Sequence, residues 1–171
     1  MTPEERQLVL SLGTVPGGGP EVGPEDVLHH FGATDDKALS LSLLCDAADR
    51  KDAADADVAL VACYRFGFTA NHLAPLIELA TADWHHRHED VVTALGELRS
   101  PAAVDALYHA TQWVPEYLDY DENRGLATKA VRALAATPGA EAERALVRLT
   151  EADDETVREA AVKHLARRRS S

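Results

Sequence analysis

The chain has 171 residues, 46% of them apolar and only 5% aromatic, which suffices for one domain with a buried core and favours helices built on alanine and leucine. Its 29 acidic against 17 basic side chains leave a net charge of −12, the wrong sign for gripping phosphates, so no nucleic-acid partner is expected. No apolar run reaches the roughly 18–20 residues a membrane span needs, the acidic start is not a secretory leader, and two cysteines, Cys45 and Cys63, make neither a disulfide framework nor a metal set, so a cytoplasmic protein is expected.

Thr2-Pro3-Glu4-Glu5 predicts a short helix reaching about Leu12, with threonine as cap, proline in the first turn and glutamates facing the dipole. Residues 13–24 then hold five glycines and three prolines, which predicts a loop. A second short helix starts at Pro24 and ends at Gly32, so residues 1–33 read as an N-terminal segment and 34–171 as the main body. Thr34-Asp35-Asp36 caps a helix carrying Leu39, Leu43 and Leu44, and a polar turn leads to a second helix with Val58, Leu60 and Val61 that stops at Gly67. Cys45 and Cys63 fall on these two helices, as small buried hydrophobes or as a redox pair.

From there one pattern comes round three times. Leu76-Ile77-Glu78-Leu79 aligns with Leu146-Val147-Arg148-Leu149, and Ala106-Leu107 with Ala145-Leu146. The interval Leu76 to Leu95 is 19 residues, Leu146 to Leu165 is also 19, and Leu107 to Leu134 is 27, so the middle copy carries an insertion around residues 113–122. Each copy predicts an outer helix, a turn and an inner helix, the first outer helix running from Thr69 to about Ala82. The inner helices run over residues 89–99, 124–136 and 154–168. Such hairpins bury their apolar faces only by leaning on their neighbours.

Asp154-Glu155-Thr156-Val157-Arg158-Glu159-Ala160-Ala161-Val162 resembles the inner-helix signature of HEAT and HEAT-like repeats, and Val131-Arg132-Ala133-Leu134 is a partial match. The resemblance implies an all-α superhelix, a solenoid of three to four hairpins. It also implies that the chain binds another protein rather than catalysing a reaction, with no cofactor. Small bacterial HEAT-like proteins include immunity-type inhibitors of toxin enzymes. Other HEAT-like proteins are DNA glycosylases or lyases that attach bilins, which leaves a bilin-binding enzyme as an alternative.

The insertion is the first candidate site. It sets Trp113, Tyr117 and Tyr120 among Glu116, Asp119, Asp121 and Glu122, and Trp84 occupies the matching turn of the preceding copy. Aromatic rings among carboxylates suit a basic protein partner offering Arg or Lys. Either these rings line a binding edge, or Trp113 and Tyr117 fold inward and fill the gap the insertion makes. His85, His88 and Glu89 form the second candidate, since their spacing of three and four places them on one helical face. Zinc needs three or four ligands, and no distant Cys-His pair completes a set, so no metal is expected. His29, His30, His72, His109 and His164 show no grouping in the sequence.

Overall fold

A computed structural model describes residues 1–13, 22–120 and 124–170. It is 74% helical, with ten helices and no strand among those residues. The expected all-α class is therefore found. The chain divides into two compact units, Met1–Pro75 and Leu76–Ser171. The expected Gly/Pro-rich loop falls mostly on residues 14–21, outside the described residues.

In the first unit, α1 (Pro3–Leu10) opens with a reciprocal cap, Thr2 accepting from the Glu5 N–H and Glu5 from the Thr2 N–H. α2 (Pro24–His30) follows. α3 (Asp36–Arg50) is capped by Asp35 and ends at Lys51, whose φ of 51° turns the chain out of the helix. α4 (Ala53–Phe66) is capped by Asp52 and stops at Gly67, where φ is 90°. Leu43, Leu44 and Ala47 of α3 and Ala56, Ala59 and Cys63 of α4 are buried. α1 packs on α4, and α2 on α3.

Asp55, completely buried, anchors that packing. It accepts from the Met1 ammonium at 2.5 Å, from Arg6 Nε at 2.6 Å, and from Arg50. Burial alone would raise the Asp55 pKa. The hydrogen bonds from the Met1 ammonium, Arg50 and Arg6 outweigh it and bring the carboxyl down to about 2.

α5 (Leu73–Leu79) runs across the division between the units. In the second unit come α6 (His88–Leu98), α7 (Val104–Gln112), α8 (Gly125–Ala136), α9 (Ala140–Leu149) and α10 (Glu155–Ser170). α8 is the hub: it touches α6, α7, α9 and α10, and it buries Leu126, Ala127, Ala130, Val131, Ala133 and Leu134. Leucine or valine buried this way is worth roughly 1.5–3 kcal/mol each. Gly96 lets α6 approach α8 closely, since a Cβ there would sit 3.0 Å from the Ala133 Cβ.

Candidate functional site

The site lies in the second unit, where the turn before α6 meets the insertion that follows α7. α5 stops at Leu79, and its last carbonyls need donors. His85 in the following turn supplies one, and His88, the first residue of α6, bonds the turn itself. His85 Nε2 lies 2.8 Å from the Leu79 carbonyl oxygen, and His88 Nε2 lies 2.6 Å from that of Ala82. Both Nε2 atoms therefore carry the proton. The Nδ1 atoms are left as acceptors: His85 Nδ1 takes the Arg87 N–H at 3.0 Å, and His88 Nδ1 takes the Tyr117 hydroxyl at 2.9 Å. The Tyr117 oxygen in turn accepts the His88 backbone N–H at 3.3 Å.

These bonds assemble a set of rings. His85 stacks on His88 with centroids 4.1 Å apart, and Tyr117 stacks between His88 at 5.6 Å and His86 at 4.5 Å. Trp84 meets His85 edge-on at 5.2 Å, and Trp113 meets His88 edge-on at 4.7 Å. Both indoles are thus joined through two buried imidazoles. Burial holds the His88 imidazole down to about 4, with the Ala82 carbonyl acting the other way and His85 and His86 adding to the depression. Burial likewise raises the Tyr117 phenol.

The outer layer differs. Tyr120 is 81% exposed, and Glu116, Asp119 and Val114 are also exposed. On the underside, Pro115 is buried, and Val114, Pro115 and Leu118 line a shallow recess with Leu126 and Ala127 of α8. Arg124 closes the insertion: Nη2 donates to the Thr111 carbonyl at 3.1 Å, and Nε lies 2.8 Å from Asp154, though not aligned as a hydrogen bond. Asp154 also caps α10, accepting the Val157 N–H at 3.0 Å.

Of the sequence candidates, Trp84, His85, His88, Trp113 and Tyr117 come together as one inner cluster. Glu116, Asp119 and Tyr120 are exposed and take no part in it. Glu89, half-buried, pairs with Lys129 of α8 at 3.2 Å. Asp121 and Glu122 lie outside the described residues. One member was missed in the sequence. His109 lies 5.6 Å from Trp113, one helical turn before it, a spacing that signals such a pair. His86, in the same histidine-rich stretch as His85 and His88, stacks on Tyr117.

Chemically the inner cluster is saturated. With both nitrogens of His85 and of His88 engaged, binding a metal or taking a substrate proton would first require breaking a buried hydrogen bond. Among the described residues no group of three or more His, Cys, Asp or Glu side chains is placed to hold a metal ion. In the first unit His72 is used structurally, its Nδ1 accepting the Thr69 N–H at 3.1 Å and its Nε2 lying 3.3 Å from Ser40 Oγ. Burial pushes the Cys63 thiol up to about 12, so it is a poor nucleophile. No helix of the described residues is long and apolar enough to cross a membrane. Compared with protein-family models, curated proteins and solved structures, the chain matches none.

Proposed function

We propose that this chain is a non-enzymatic, HEAT-like solenoid that binds a basic protein in the cytoplasm, along the edge built on its insertion. One observation carries the reading. Within the insertion Tyr117 is hydrogen-bonded to His88 and Pro115 is buried, while Tyr120, 81% exposed, and the carboxylates of Glu116 and Asp119 face water. A mounted loop that holds a large aromatic ring in solvent among acids is ready for a cationic surface, because little ordering remains to be done on binding. On this reading Trp84, His85, His88 and Trp113 are the mount, and Glu116, Asp119 and Tyr120 make the contact. The solenoid part is supported by contacts in series, α6 with α8 and α8 with α10, beside α7 with α9.

The test is affinity capture with cross-linking, using the native chain and a variant carrying Glu116→Gln, Asp119→Asn and Tyr120→Ala. The expected result is a basic protein captured by the first and lost by the second, with unchanged thermal unfolding. A partner retained by the variant would refute this assignment of the edge, and so would a captured protein without a basic surface.

A further inference from the structure

We propose that the acidic edge of one copy docks on α8 and α10 of a second copy, so that the chain assembles head to tail. This rests on the reading that the edge recognises a cationic surface, and it names that surface. α8 and α10 lie side by side and run the same way. Arg124 Nε is 2.8 Å from Asp154 at their starts, and Arg168 donates to the Leu134 and Ala135 carbonyls at their ends. Equivalent repeat positions on them are therefore neighbours, on axes about 8–10 Å apart. Two residues before the buried Leu134 and Leu165 stand Arg132 and Lys163. Both are exposed, and neither enters an ion pair with a described residue. The helix dipole does not account for them, because neither lies in the last turn of its helix. Burial lowers the half-buried His164 imidazole, and Arg167, Lys163 and Arg132 lower it further, so these cations share one field.

Beside the cations lies an uncovered apolar position. Three residues before Leu95, Leu134 and Leu165 stand Val92, Val131 and Val162. α8 packs on α6 and α10 on α8, and Val92 and Val131 are fully buried. Val162 is 52% exposed. Arg132, Lys163 and Val162 thus make a strip of two cations and a bare apolar spot, in a chain whose net charge is −12. The edge is its complement. Glu116–Leu118 is a 3-10 turn with Asp119 as its C-cap. Three residues of that geometry rise about 6 Å and bring positions 116 and 119 to the same side. Two carboxylates then face one way, and the long side chains of Arg132 and Lys163 make up the difference in spacing. Tyr120 follows at once and brings its exposed ring to Val162. Within one copy the two surfaces are apart. The insertion lies against Leu126 and Ala127 in the first turn of α8, about 9 Å along the axis from Arg132. Because edge and strip are different surfaces, the contact leaves each pair with one free edge and one free strip.

Sedimentation velocity of the full chain from about 10 μM to about 1 mM tests this. At about 0.15 M salt the Debye length is about 8 Å, which screens the net repulsion between copies more than ion pairs in contact. Expected there is a mass that rises above the monomer with concentration. At about 1 M salt the same contact should weaken about tenfold or more. Two variants separate the surfaces. Glu116→Gln with Asp119→Asn and Tyr120→Ala removes the edge, and Arg132→Glu with Lys163→Glu reverses the strip. All of these side chains are exposed, so thermal unfolding should not move. Each variant alone should stay monomeric. Mixed, they should form a one-to-one dimer and nothing larger, since one keeps its strip and the other its edge. The proposal fails if the native chain is monomeric throughout, if either variant alone assembles as the native chain does, or if the mixture does not pair. A monomeric native chain that captures a different basic protein through its edge would refute the head-to-tail contact and leave the proposed function standing.

Discussion

Asp55 is a residue whose energetics turn on its neighbours. A carboxylate with no water around it is tolerable only because the Met1 ammonium, Arg6 and Arg50 converge on it. Asp55→Asn removes the charge and strands these cations against the side of α4. Arg6 and Arg50 keep some exposure and can turn toward Asp52 and Asp46, so the expected loss is at the lower end for a broken buried pair, about 3 kcal/mol, read from urea unfolding at neutral pH. The pKa gives the pH window. A carboxyl lowered from 3.8 to about 2 contributes stability that is complete above 3.8 and lost as the pH falls toward 2, so acid unfolding of the native chain should steepen there and that of Asp55→Asn should not. Tyr117 and Tyr120 show what a sequence cannot say at this scale. They sit three apart in one acidic stretch and look equivalent, yet one is half-buried and hydrogen-bonded to His88 and the other stands in water. What separates them is the hydroxyl's partner His88, 29 residues earlier, and nothing in the local pattern encodes that pairing.

Elements were legible where local chemistry sets them. Thr2 and Asp35 cap the helices that their positions ahead of apolar runs announce, Asp52 caps α4 from within the expected polar turn, and the repeated leucine spacing marks the buried faces. The misreadings came from distant side chains. The outer helix expected to run from Thr69 to about Ala82 is a 3-10 turn at Ala70–His72 followed by a short α5, Leu73–Leu79. His72 makes the cap at its start, and His85 takes the Leu79 carbonyl at its end. The three terminal arginines suggest simple dipole compensation within α10. Arg168 instead donates to the carbonyls of Leu134, Ala135, Thr137 and Gly139, closing the corner after α8. Arg168→Ala should therefore cost about 1.5–3 kcal/mol, while Arg169→Ala, which loses only an exposed pairing with Glu143 at 3.6 Å, should cost under about 0.5 kcal/mol in the same denaturation assay. The α6–α8 crossing yields a steric prediction. Gly96→Val places branched carbons where Ala133 already lies, and should cost about 2 kcal/mol, a fall of about 4–8 °C in Tm.

At the scale of the whole molecule the charge is uneven, and that unevenness bears on how a partner would arrive. Residues 68–137 carry ten acids against five bases, whereas residues 138–171 carry seven of each, so the stretch holding the insertion contributes a net −5 and the last stretch nothing. A cationic partner approaching at low salt is drawn toward the acidic stretch before any contact forms. Salt shortens the reach of that field from roughly 14 Å near 50 mM to roughly 4 Å near 500 mM. Contacts made by the Tyr120 ring depend little on salt, since they follow apolar area. The two terms therefore separate kinetically. Stopped-flow binding of the captured partner should show an association rate that falls about tenfold or more across that range, while dissociation changes little. Tyr120→Ala should do the reverse, speeding dissociation and leaving the salt slope of association in place. An association rate indifferent to salt would remove the acidic stretch from recognition and leave the exposed aromatic ring to act alone.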